Sequence, residues 1–171
     1  MTPQNYTVRQ AKPEEFAILG KLMVQVYSQL EGFPKPNEQP AYYNMLSNIG
    51  DFAHKPDTAL LVAVAEDGEV VGGVVYFNDM QHYGSGGTAT QEKNAAGFRL
   101  LAVDPEQRGK GIGKLLTLAC IDKAKANGLA QVIIHSTKAM QTAWAMYERL
   151  GFKRSEDLDF MQGELPVFGF R

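Results

Sequence analysis

Apolar residues recur along this chain with two periods, and each change of period marks an element. Residues 5–9 read as a short first strand. Lys12-Pro13-Glu14-Glu15 then carries helix-entry signals, a proline in the first turn with acids beside it. Phe16, Leu19, Leu22, Met23, Val26 and Tyr27 make one helical stripe, which Gly32-Phe33-Pro34-Lys35-Pro36 stops. Residues 40–53 resume as a shorter helix with Tyr42, Tyr43, Met45 and Leu46 among its apolar positions. The runs Ala59–Ala65 and Val70–Phe77 flank Glu66-Asp67-Gly68-Glu69, a hairpin signal through Asp-Gly.

Residues 78–96 are polar and glycine-rich and read as a long loop, of the kind that is often functional. Phe98–Val103 reads as a strand, and Ile112–Asn127 as an amphipathic helix with Gly128 placed as its C-cap. Val132–Ser136 is a short apolar strand of the parallel type, followed by a helix from Lys138 to Leu150 that Gly151 closes. Phe152–Arg154 and Asp159–Phe170 complete the set as two final strands. The strand–helix–strand unit in the middle predicts a mixed α/β sheet. No repeat, low-complexity tract or linker interrupts the pattern, so residues 1–171 are expected to form a single domain.

Composition narrows the class. At 171 residues the chain is long enough to bury about 70% of its unfolded surface, and 44% hydrophobic with 21% charged residues is a globular balance. A formal net charge of −2 argues against nucleic acid as a partner, which normally calls for a basic excess. No secretory signal pattern and no apolar run approaching the length of a membrane span is present, which gives a cytoplasmic expectation with no membrane partner. The one cysteine, Cys120, lies in the helical pattern Leu115, Leu116, Ala119, Cys120 and reads as a core thiol. His82 and Tyr83 fall in a loop, and no His/Cys/Asp cluster has ligand spacing, so no metal is expected.

The densest chemical signal is Arg108-Gly109-Lys110-Gly111-Ile112-Gly113. It joins a strand to a helix N-terminus, where unpaired N–H groups and the positive end of the helix dipole favour an anion and glycines let it approach the main chain. Arg108, Lys110 and Lys114 add full charges. Spacing excludes two phosphate sites. Gly113-Lys114 is followed by Leu115 rather than Ser/Thr, so the P-loop pattern fails. Gly109-x-Gly111 and Gly111-x-Gly113 lead to Lys114 and Leu116, so the dinucleotide pattern fails as well.

Arg108-x-x-Gly111-x-Gly113, preceded by Leu101-Ala102-Val103-Asp104-Pro105, resembles the acyl-CoA signature of the GNAT superfamily of N-acyltransferases. Ala143-Trp144-Ala145-Met146-Tyr147-Glu148-Arg149-Leu150-Gly151-Phe152 resembles that superfamily's second hallmark, a helix ending in Tyr-x-x-x-Gly-Phe. The resemblance covers roughly residues 60 to 155. It implies a central mixed sheet of about six to seven strands flanked by helices, with acetyl-CoA as acyl donor and an amine as acceptor. It implies that the backbone of residues 109–114 holds the pyrophosphate, so that Arg108, Gly109, Lys110, Gly111, Ile112, Gly113 and Lys114 contact the cofactor. Leu101, Ala102 and Val103 would run beside the pantetheine arm. Tyr147 would be the catalytic proton donor to the departing thiolate, against the simpler reading of an aromatic packed on the sheet. Homodimerisation is left open.

Two departures from the family pattern accompany the resemblance. The strand positions where a glutamate often serves as base are Gly97 and Arg99, and the position of a frequent pantetheine-binding asparagine is Met140, with Ser136 and Thr137 offering hydroxyls nearby. That leaves water-mediated deprotonation or a base from elsewhere, with Glu31, Asp79, Glu92, Asp159 and His135 as candidates and His135 also readable as structural. Arg99 either alternates with Leu101 and Val103 on a substrate-facing side, favouring an acidic acceptor, or pairs with an acid such as Glu92. Glu156, Asp157 and Asp159 either attract a cationic amine or form a solvated turn. Trp144 and Met146 read as core or interface. Tyr27, Glu31, Phe33, Tyr42 and Tyr43, with loop 78–96, are expected to frame the acceptor pocket, for a small or medium amine with an apolar part. The expected activity is acetyl transfer from acetyl-CoA to a primary amine by direct attack in a ternary complex. The alternative is a non-catalytic acyl-CoA-binding sensor.

Overall fold

The computed structural model describes residues 5–84 and 86–171. Seven strands form one sheet in the order β1-β2-β3-β4-β5-β7-β6. They are β1 (Tyr6–Gln10), β2 (Thr58–Ala65), β3 (Val70–Phe77), β4 (Ala95–Val103), β5 (Gln131–Ser136), β6 (Phe160–Gln162) and β7 (Leu165–Phe170). Every neighbouring pair is antiparallel except β4 and β5. The helices are α1 (Phe16–Ser28), α2 (Pro40–Ser47), α3 (Ile112–Ala126) and α4 (Gln141–Arg149). This is the mixed α/β sheet flanked by helices that the sequence predicts.

The central strands are apolar on both faces because both faces are covered. Leu60 and Val62 of β2 join Val75 and Phe77 of β3 beneath Leu19, Met23 and Leu46 of α1 and α2. The intervening positions Leu61, Ala63, Val71 and Val74 meet Ile112, Leu116 and Cys120 of α3, and Tyr147 of α4 lies in the same cluster. Cys120 is buried there, and burial pushes its thiol up to about 12, which leaves it inert as a nucleophile. At the start of α1 the Glu15 carboxylate accepts from the Lys12 backbone N–H and from both terminal nitrogens of Arg9. The guanidinium holds that carboxyl down at about 2.

Several boundaries differ from the sequence reading. The expected helix over 40–53 breaks at Asn48, and 49–54 continue as a 3-10 turn. The expected helix from Lys138 begins at Gln141. Phe152–Arg154 is no strand, since only Arg154 makes an isolated bridge to Phe170. The span Asp159–Phe170 is instead a hairpin, with Gln162 opposite Leu165 and Gly163-Glu164 as its two-residue turn. Gly163 has φ of +61°, the backbone that such tight hairpins demand. Loop 78–96 holds two 3-10 turns and gives its last two residues to β4; within it, Ser85 lies outside the described residues.

Two features of β4 create the site. The strand pairs with β5 only through Ala95, Ala96 and Gly97, opposite Gln131, Val132 and Ile133. Beyond that point β5 pairs with β7 while β4 stays with β3, so the two parallel strands part. At the parting Leu100 has φ of +63°, and the β3–β4 register slips between Gly73 and Val75. Such a bulge bends the strand and re-aims the side chains that follow it. Leu100 and Ala102 join the α1-side core, while Leu101 and Val103 pack on the α3 side.

Candidate active site

A cavity of about 760 Å³ fills the gap between the parted strands, within the range of small-molecule sites. At one end it is lined by Arg108, Gly109, Gly111, Ile112, Gly113 and Lys114. Gly111 is the N-cap of α3 at φ +79°, and no side chain caps the helix, so the first-turn amides are left open to a ligand. A Cβ built on Gly109 or Gly111 would meet nothing within 4 Å, so the main chain there is bare on its outer side. Lys110 departs from expectation. Its ammonium donates to Gln107 Oε1 at 2.9 Å, and its side chain does not line the cavity.

Leu101, Ala102 and Val103 form the middle wall together with Ser136, Thr137 and Tyr147 across the gap. The Leu101 carbonyl already accepts from the Tyr27 hydroxyl at 3.1 Å, so part of that strand edge is engaged by the protein itself. Ser136 Oγ is buried, borders the cavity and has no hydrogen-bond partner among the described residues, as a donor open to a ligand would be. Tyr147 is held edge-on by Phe98 and Phe152, each with ring centroids 5.9 Å away. Its hydroxyl makes no hydrogen bond within the described residues, and burial pushes it well above its ordinary value of 10, so it keeps its proton at neutral pH.

At the far end Val26, Tyr27, Phe33, Tyr42, Arg99, His135, Phe160 and Gln162 enclose a mostly aromatic pocket. Tyr27, Phe33 and Tyr42 stand where the sequence places them. Tyr43 instead turns into the core and donates to the Pro34 carbonyl at 2.6 Å, while Glu31 borders a separate, smaller cavity. None of the described residues of loop 78–96 lines the site. Met80 and Tyr83 are instead wholly buried, and the β6 hairpin takes the expected place through Phe160 and Gln162. Gln162 donates to Gln39 Oε1 at 2.7 Å, tying that hairpin to the residues before α2. Met146 also lines the cavity, whereas Trp144 packs edge-on against Phe168 and Phe170.

The candidate bases are accounted for. A Cβ on Gly97 would lie 2.6 Å from the Tyr83 ring, so glycine is required there and the tyrosine fills the space a strand carboxylate would take. Tyr83 donates from its hydroxyl to His135 Nδ1 at 2.9 Å, and His135 Nε2–H donates to the Leu158 carbonyl at 2.8 Å. Burial lowers the His135 pKa, which keeps it neutral with both nitrogens occupied. Glu92 is paired with Arg171, Asp159 with Arg154, and Asp79 caps the turn at Gln81. Asp157 pairs with Arg171 as well. Among the described residues no carboxylate lines the cavity.

Arg99 matches neither full expectation. The bulge at Leu100 breaks the alternation, so Arg99 lies on the face opposite Leu101 and Val103, and Glu92 is committed elsewhere. Its Nη1 donates to the Tyr83 carbonyl at 2.9 Å, and its guanidinium faces the pocket.

The model of the acetyltransferase (GNAT) family matches residues 23–152. The chain belongs to the GNAT acetyltransferase family. Its match to mycothiol acetyltransferase of Streptosporangium roseum is 42% identical over 62 residues, 36% of this chain and 18% of that protein. Its match to N-acetylaspartate synthetase of Xenopus tropicalis is 32% identical over 109 residues, 63% of this chain and 36% of that protein. Each of these matches thus spans well under half of the relative's own length. Among solved structures, the PaiA N-acetyltransferase of Thermoplasma acidophilum in complex with coenzyme A superposes with a TM-score of 0.72 at 17% identity, covering 96% of this chain and 98% of the other. A GNAT-family acetyltransferase of Staphylococcus aureus gives 0.73 at 15% identity, covering 97% of both. At those identities the likeness establishes the GNAT fold.

Proposed function

We propose that this GNAT-family chain transfers an acetyl group from acetyl-CoA to a primary amine, by direct attack with both substrates bound. The observation that carries the reading is one continuous cavity joining the uncapped N-terminus of α3, the gap between β4 and β5 with Tyr147 in its wall, and the aromatic pocket. The residues fit the donor. The bare glycine backbone and the amides of 109–114 suit its pyrophosphate, with Arg108 and Lys114 supplying charge and Lys110 acting at longer range. Leu101, Ala102 and Val103 flank its extended arm, and Ser136 Oγ offers an unspent hydrogen bond. Family membership and relatives named acetyltransferases point the same way.

Acetyl-CoA brings an acyl group already activated as a thioester. The protein's task is to align that carbonyl with the amine and to receive the leaving sulfur. As the C–N bond forms and the C–S bond breaks, Tyr147 Oη gives its proton to the departing thiolate and regains one from water. The amine's own surplus proton also goes to water, because no described carboxylate faces the cavity.

Tyr147→Phe tests this assignment, since it keeps the ring against Phe98 and Phe152 and removes only the donor. Turnover falls by roughly 10²–10⁴-fold with CoA affinity nearly unchanged. A rate within about threefold of wild type, well short of that range, reduces Tyr147 to a packing residue.

A further inference from the structure

The geometry points to an acceptor of the amino-acid class, a primary amine that also carries a carboxylate, with Arg99 as the residue that binds the carboxylate. The inference rests on the acetyl-transfer reading above and narrows its acceptor.

The charges around the cavity are one-sided. Arg99, Arg108, Lys114 and Arg149 line it, and among the described residues no aspartate or glutamate does. Arg108 and Lys114 flank the glycine turn, where the donor's phosphates account for them. Arg99 sits apart, within the aromatic pocket, close enough for its charge to act on the Tyr27, Tyr42 and Tyr83 hydroxyls and on His135. Among the described residues its one hydrogen bond goes to a neutral carbonyl, that of Tyr83, whose ring lies 5.7 Å from the guanidinium carbon. No carboxylate pairs with it among the described residues, whereas Arg9, Arg154 and Arg171 all have one.

A guanidinium presents five N–H donors in a planar fork, and among the described residues only one is committed here. A half-buried guanidinium with no carboxylate partner among the described residues is free to receive one, and an arriving carboxylate fits the fork with two parallel bonds. Val26, Phe33, Tyr42 and Phe160 leave apolar walls for the remainder of a small molecule. A polyamine, an aminoglycoside or a basic peptide would find no acid among the described lining residues to receive its extra charge and would face Arg99 directly.

The test is release of free CoA from acetyl-CoA with a panel of L-amino acids, each beside its decarboxylated amine and its primary amide, and with spermidine. The expected result is a preference in kcat/KM of about 10- to 100-fold for the amino acid over its two uncharged-end counterparts, the worth of a hydrogen-bonded charge pair. Arg99→Gln removes that preference, raising KM for amino acids by far more than for the decarboxylated amines, with CoA affinity nearly unchanged. Arg99→Lys restores part of it. Arg99 also supports the turn at Tyr83, but loss of that support would depress every acceptor equally. Equal or better use of amines lacking a carboxylate, or an Arg99→Gln effect shared by all acceptors, overturns the inference and leaves acetyl transfer standing. Tight acetyl-CoA binding with no CoA release from any amine overturns both.

Discussion

Tyr147 and Gly97 show how single residues set the chemistry. Burial holds the Tyr147 hydroxyl protonated well above its ordinary value of 10, and no described carboxylate is present to take the amine's proton. Both facts bear on pH. Because the Tyr147 pKa is raised, the donor form persists as pH climbs, and the group contributes no falling limb up to that value. The rising limb belongs to the acceptor. We predict that kcat/KM increases with pH along the ionisation of the amine itself, so two acceptors of different basicity give profiles displaced by the difference in their pKa values. A shared apparent pKa near neutrality for both acceptors would reveal a base on the protein. Gly97 was legible as a departure from the family pattern, but its reason was not. The Tyr83 ring that excludes a side chain there arrives from residues that read as loop, and nothing in their polar, glycine-rich composition marks one tyrosine as wholly buried.

Elements were easiest to read where a periodic stripe meets a clear stop. The α1 stripe, the β2–β3 hairpin and the strand–turn–helix over β4 and α3 all follow from apolar spacing and glycine placement. The bulge at Leu100 left no trace in the sequence, because a leucine at positive φ is imposed by the surrounding sheet rather than by its own preference. That one residue reverses which face Arg99 occupies. The β6–β7 hairpin did carry a signal in Gly163-Glu164, and its consequence, Phe160 and Gln162 over the acceptor pocket, follows from it. The turn before α3 yields a prediction of its own. Gly111 needs a left-handed backbone but has open space outside it, so Gly111→Asn, which tolerates that conformation, adds bulk to the cradle with little strain. CoA affinity drops by roughly tenfold or more, as expected when charge-assisted bonds to the backbone are displaced, while the melting temperature stays close to wild type. Wild-type affinity also weakens with rising salt, since Arg108 and Lys114 act through charge. Undiminished CoA binding in folded Gly111→Asn would move the phosphate site elsewhere.

At the scale of the whole molecule, the parting of β4 from β5 is what gives the sheet a site. The strands are parallel and adjacent for three residues, then β5 turns to β7 while β4 stays with β3, and the gap spans from a helix N-terminus to an aromatic pocket. A cavity with a cationic glycine turn at one end, a buried protonated tyrosine in its wall and an aromatic pocket at the other end suits a two-substrate transfer better than mere retention of one ligand. The most direct measurement follows free thiol release from acetyl-CoA together with mass spectrometry of the acceptor, across amines and amino acids. Sustained multiple turnovers are predicted, with one N-acetylated product formed for each CoA released. Saturable acetyl-CoA binding with no acetylated product from any acceptor would contradict it, and would make the chain a sensor of acyl-CoA rather than a transferase.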